Sequence, residues 1–212
     1  KKEVSRVVLE DEFGPVSFYL MPYADPAVVR ELYEDKEIKC HEDAVRALVD
    51  NINKNRDINE RSVMIYHGFV VGGEEPEISE SERPLSIGGT EYVRADNFSS
   101  FSYTALGHLH GPQRVGQDNI RYSGSLLKYS FTEVNHKKGV TIVNLDHEGK
   151  ANIEHRELVP KRDLRKIKGD LIELIKPEVY RGTNQEDYIN VILTDEGELI
   201  DPIGKLRAVY PH

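Results

Sequence analysis

Tyr103-Thr104-Ala105-Leu106-Gly107-His108-Leu109-His110 reads as an apolar strand that meets a glycine and then delivers two imidazoles one residue apart. In an extended backbone residues i and i+2 point to the same face, so His108 and His110 can reach one small region of space, a geometry that suits a metal ion. An isolated His-x-His is equally an exposed pair on a loop, and context has to decide. Upstream, Ser62-Val63-Met64-Ile65-Tyr66 reads as a buried strand that also ends in histidine and glycine, His67-Gly68. Two apolar strands delivering imidazoles at their C-terminal ends predict a site at the carboxyl edge of an α/β sheet, where loops hold the chemistry. Neutral imidazole suits zinc, manganese or iron, and carboxylates and waters favour harder ions such as manganese or magnesium. His67, His108 and His110 are thus expected to form part of a metal site and not the whole of one.

Outward from these strands the pattern is mixed. Arg6-Val7-Val8-Leu9 and Val16-Ser17-Phe18-Tyr19-Leu20 read as strands flanking the turn residues Gly14-Pro15. Asp25 with Pro26 predicts a helix start, with Val28, Val29 and Leu32 as its apolar face. A second helix is expected from about Glu42 to Lys54, where Ala44, Val45, Leu48, Val49 and Ile52 recur at helical spacing. Ile120-Arg121-Tyr122 leads into the polar turn Ser123-Gly124-Ser125. Gly139 to Leu145 and Ala151 to Leu158 form a hairpin about Asp146-His147-Glu148-Gly149. Beyond Pro160 a short helix near Asp170 to Ile175, a strand from Tyr188 to Leu193 and a helix opening at Asp201-Pro202 suggest a small α+β appendage.

The 212 residues are enough for one large domain, or for one domain with an appendage. No run approaches the length of a membrane span, and the first residues lack the apolar segment of a signal peptide. The single cysteine, Cys40, fits a reducing, cytoplasmic setting, and Cys40-His41 has no second ligand cluster near it that would make it a metal pair. A net charge of −9 excludes a uniformly basic surface. The charge is unevenly spread, however. Glu74 to Glu82 carries five carboxylates and reads as a solvated loop, whereas Lys161 to Lys168 sets five cations against one anion. Such a basic stretch is either a solvated face or a track for a phosphate backbone.

His67-Gly68-Phe69-Val70, Ser79-Glu80-Ser81-Glu82-Arg83-Pro84-Leu85-Ser86-Ile87-Gly88-Gly89, Gly107-His108-Leu109-His110 and Arg121-Tyr122-Ser123-Gly124-Ser125 together resemble the SbcD family. Its members are nuclease subunits of bacterial SbcCD complexes within the calcineurin-like metallophosphoesterases. The resemblance extends through Tyr129-Ser130-Phe131-Thr132-Glu133 and the tail Asp201-Pro202-Ile203-Gly204-Lys205-Leu206-Arg207. It implies an α/β fold: a partial calcineurin-like β-sandwich flanked by helices over residues 1–158, then a small, incomplete α+β capping domain over 159–212. It also implies that His67 and His108 bind one of two metals and His110 the other, with manganese usual and magnesium the alternative. The activity implied is phosphodiester hydrolysis: ATP-dependent exonuclease action on double-stranded DNA, and endonuclease action on single strands and hairpins, in recombination, repair and replication. Implied partners are double-stranded and hairpin DNA and an SbcC-like coiled-coil ATPase, with the nuclease a homodimer within a heterotetramer. A capping domain that helps hold DNA turns the basic stretch into a candidate interface through Arg162, Arg165 and Lys166.

The chain departs from the family pattern in what is missing. No Asp-x-His strand end and no Gly-Asn-His-Asp or Gly-Asn-His-Glu occurs; Gly169-Asp170 lies far downstream, and Asn135-His136 lacks the glycine and the acid. With no initiating methionine before Lys1, the expectation is the C-terminal part of such a nuclease, holding half a metal site and no catalytic residue of its own. Three imidazoles without a bridging carboxylate should hold at most one ion well, so the isolated chain is expected to be inactive. An exposed sheet edge and apolar face further predict a dimer, a swapped arrangement or a rearranged core. Two other functions remain open from the residues: a small-molecule phosphodiesterase or phosphatase, and a non-catalytic DNA-binding module.

Overall fold

The computed structural model describes residues 4–74, 76–80, 82 and 92–212, so most of the element expected at 79–89 lies outside the described residues. It is a mixed α/β chain that divides into two compact units, Lys1–Leu126 with Lys137–Leu158, and Leu127–His136 with Val159–His212.

The first unit contains β1 (Ser5–Asp11), β2 (Gly14–Met21), α1 (Pro26–Leu32), α2 (His41–Asn55), β3 (Ser62–His67), β4 (Val70–Val71), β5 (Val93–Arg94), β6 (Tyr103–Gly107), β7 (Gln113–Val115), β8 (Gln117–Tyr122), β9 (Gly139–Leu145) and β10 (Ala151–Glu157). Among the described residues its main sheet has the order β1-β2-β3-β6-β8-β7. The central strands β2, β3, β6 and β8 run parallel, and antiparallel β1 and β7 close the two edges. Alternation along the central strands sends Tyr19, Met21, Met64, Tyr66, Leu106, Ile120 and Tyr122 to one side, where they join the buried face of α2. That helix forms because Ala44, Val45, Leu48, Val49 and Ile52 recur every three or four residues, with Glu42 and Asp43 in the first turn and Lys54 in the last complementing its dipole. Val16, Phe18, Val63, Tyr103 and Ala105 leave the opposite side of the sheet and meet Val143, Leu145, Ala151 and Ile153 of the β9–β10 hairpin. Each aliphatic side chain that is fully buried in this way contributes about 1.5–3 kcal/mol.

The cap of α1 is as expected: the Asp25 carboxylate accepts the Ala27 N–H at 2.8 Å, with Pro26 at the first helical position. Only part of its expected face is inside, however. Val29 is 3% exposed and Val28 56%, because the cap fixes a phase in which Val28 turns outward.

The second unit contains β11 (Leu164–Gly169), α3 (Leu171–Leu174), α4 (Pro177–Tyr180), β12 (Tyr188–Leu193) and α5 (Pro202–Arg207). β11 and β12 pair in parallel across the α3–α4 crossover, and Leu171, Leu206 and Tyr210 form the buried centre. The basic stretch is therefore a strand, and segment 127–136 packs with this unit.

Candidate metal centre

β3 and β6 are parallel neighbours in register, with His67 opposite Gly107. Both strands therefore end at one level, and the residue after Gly107 is His108. The His67 and His108 rings lie 5.4 Å apart, centroid to centroid, nearly perpendicular at 79°. Glycine at 107 is what admits this approach, since a Cβ there would stand 3.1 Å from His67 Nδ1, tighter than a side chain normally tolerates. Phe69 continues the wall: its ring centroid is 6.2 Å from that of His108 and 5.1 Å from that of Tyr92.

The strand does not run on through His110 as the sequence pattern suggests. It stops at Gly107, and His108 adopts φ 130°, a backbone region that a residue with a side chain enters at a cost of about 1–3 kcal/mol. This turn sends Leu109, 2% exposed, into the core and leaves His108 and His110 half-buried on either side of it. His110 is fixed through its main chain. The Glu82 carboxylate accepts its N–H, and its carbonyl accepts the Ser125 N–H at 3.1 Å and Lys138 Nζ at 2.8 Å. Gly124 lets the Ser123–Ser125 turn come this close, having φ 76° and no Cβ to strike the His110 carbonyl, which would lie at 2.6 Å.

Tyr122 secures the segment after His67. Its hydroxyl donates to the Gly68 carbonyl and accepts the Val70 N–H, both at 2.7 Å. Burial pushes its phenol far up from the usual tyrosine value, so it remains a neutral donor at any working pH. The sequence does not mark Tyr122, Glu82 and Lys138 as supports. Each meets its partner 28 or more residues away, and no local pattern encodes such a pairing.

Among the described residues no three of His, Cys, Asp and Glu gather closely enough to hold a metal ion. His67 and His108 are brought together, whereas His110, two residues on and beyond the buried Leu109, does not complete a cluster of three with them among the described residues. Paired imidazoles at adjacent strand ends fit a borderline divalent cation in donor type and fall short of it in donor number. Cys40 and His41 are used otherwise. Cys40 precedes α2 with its Sγ 3.5 Å from Asp43 Oδ2, and the His41 ring packs 5.0 Å from Tyr23.

In the basic strand and just before it, Arg165 pairs with Asp187 at 2.7 Å and Arg162 with Glu186 at 3.1 Å. Asp187 is 4% exposed and also accepts the Asp163 N–H and the Asn184 amide, so Arg165 completes a buried polar knot. Lys166 and Lys168 alternate onto the exposed side of β11, and neither has an ion pair among the described residues.

Residues 160–212 match the family model described as "Type 5 capsule protein repressor C-terminal domain", SbcD_C. Over 201 residues, 95% of this chain, the sequence is 34% identical to the SbcD subunit of the SbcCD nuclease of Staphylococcus epidermidis. The match takes in 53% of that relative, so the chain spans about half the length of the protein it resembles. No helix among the described residues is long and apolar enough to cross a membrane.

Proposed function

Because the chain is homologous to the SbcD nuclease subunit over nearly its whole length, we propose that it forms the C-terminal part of a metal-dependent DNA nuclease subunit. The observation that carries this reading is the convergence of His67 and His108 at the C-terminal ends of adjacent parallel strands. His67 and His108 would hold one divalent cation and His110 would contribute to a second, with manganese the ion expected and magnesium the alternative. When bound, such cations polarise a phosphodiester and stabilise the charge that develops as it is hydrolysed. The chain's own residues do the placing. Gly107 allows the two rings to approach, Phe69 packs against His108, Tyr122 holds the segment after His67, and the Ser123–Ser125 turn supports His110.

In this reading the six-stranded sheet and the β9–β10 hairpin are part of a calcineurin-like sandwich, and the second unit is a cap that holds DNA. Double-stranded and hairpin DNA are the substrates, the partner is an SbcC-like coiled-coil ATPase, and the working assembly is a homodimer of nuclease subunits within a heterotetramer. Of the candidate DNA-binding residues Arg162, Arg165 and Lys166, the two arginines are committed to carboxylates, which leaves Lys166 as the better placed.

Among the described residues no carboxylate clusters with these imidazoles, and imidazoles alone are a poor hydrolytic centre. The purified 212-residue chain is therefore expected to leave linear double-stranded DNA intact in manganese, whereas the full-length protein degrades it. His67→Gln or His108→Gln in the full-length protein should lower that activity by about 100-fold or more, as expected for the loss of a direct cation ligand. Wild-type rates from both variants would overturn the assignment.

A further inference from the structure

The His110 main chain is gripped on both sides by opposite charges. Its N–H donates to a carboxylate oxygen of Glu82, and its carbonyl accepts from the ammonium of Lys138 at 2.8 Å. Neither charged group is loosely placed. The other Glu82 oxygen accepts the Ser79 N–H at 2.7 Å, while the Glu82 N–H returns to the Ser79 carbonyl at 3.1 Å, closing a small ring that aims the carboxylate. Lys138 is only 5% exposed, and its Nζ also donates to Ser125 Oγ at 2.8 Å, tying together the two turns that flank His110. Taking an ammonium out of water is expensive. A hydrogen bond from an ammonium is shorter and stronger than one from a neutral donor, so Lys138 holds this carbonyl firmly. The strained His108 backbone supplies the motive, because a turn forced to φ 130° relaxes unless its far side is held.

We propose that Glu82 and Lys138 are positioning residues that hold the His108–Leu109–His110 turn in its cation-binding conformation by fixing the His110 N–H and carbonyl, one on each side of its Cα. The inference rests on His67, His108 and His110 being cation ligands, and goes beyond that reading by naming the groups that orient them. Neither residue touches the cation. Each acts through the main chain of the ligand, and loss of such an orienting partner typically weakens metal binding on the order of 10- to 100-fold.

The test is Mn2+ binding to the full-length protein without DNA, following free Mn2+ by its paramagnetic resonance signal, with circular dichroism to verify folding. Lys138→Met removes the charge and keeps the stem; Glu82→Ala removes the acceptor, and Glu82→Gln restores a neutral one. The expected result is Mn2+ affinity lowered about 10-fold or more in Lys138→Met and Glu82→Ala with unchanged dichroism, and recovered to within about threefold of wild type in Glu82→Gln. Wild-type affinity in both weakened variants overturns the proposal and leaves the ligand assignment standing. Wild-type protein that binds no Mn2+ overturns the ligand assignment, and the proposal with it. If Lys138→Met fails to fold, the Glu82 pair decides: affinity reduced in alanine and recovered in glutamine supports the clamp, and equal affinity in the two rejects it.

Discussion

His108 combines two opposed demands, a ring beside His67 and a backbone at φ 130°. A glycine would take that φ without strain and forfeit the ring. His108→Gly in the metal-free full-length protein should therefore raise stability by about 1 kcal/mol, the strain released less the greater freedom of glycine in the unfolded chain. Scanning calorimetry of the two proteins checks this, and a lowered midpoint in the variant would show that the turn is not strained. The histidines themselves are legible in the sequence because each follows an apolar strand and adjoins a glycine. The strain is not legible: Leu106-Gly107-His108-Leu109-His110 reads as continued extension, whereas the packing of Leu109 into the core and the bonds to the His110 main chain turn it. Lys138 is hidden for a related reason, since a lysine before a strand normally lies in solvent and here its ammonium meets a carbonyl 28 residues earlier in the chain.

At the scale of elements, β1 is exposed along its whole length, with Val7, Val8 and Leu9 each more than 40% accessible. The hairpin is tied down at its turn, where Arg61 donates to both Asp11 oxygens, at 2.7 and 2.5 Å. That pairing holds the Asp11 carboxyl down at about 2 against an ordinary 3.8. A carboxylate with a depressed folded value stabilises the fold fully above its unfolded value and loses that contribution as pH falls through the folded one. The stability difference between the wild-type protein and Asp11→Asn should accordingly be constant above about pH 5 and shrink between about pH 4 and pH 2. Denaturant melts across that range test it, and a difference that grows with acidity would contradict the pairing. β9, which alternates clearly, and β12, a mainly apolar run, are readable to their ends. β11 reads as a charged patch because Arg165, Lys166 and Lys168 mask Leu164 and Ile167, and its parallel pairing to β12 is set by residues some 24 positions away.

For the whole molecule, charge decides how DNA would be met. A net charge of −9 opposes contact with a polyanion everywhere except at local basic surface, and Arg162 and Arg165 are already neutralised. Lys166→Ala with Lys168→Ala should thus weaken DNA binding by the full-length protein and reduce the slope of log affinity against log salt by about one for each phosphate no longer neutralised. An unchanged slope would remove β11 from the interface. Arg165→Ala, by contrast, leaves the buried Asp187 carboxylate without its cation and should act mainly on stability. The proposed function depends on the site at the ends of β3 and β6. Crystals of the full-length protein soaked in manganese, with anomalous scattering recorded at the manganese edge, test it most directly. The expected result is a peak coordinated by the imidazole nitrogens of both His67 and His108. Manganese bound elsewhere, with neither ring among its ligands, would contradict it.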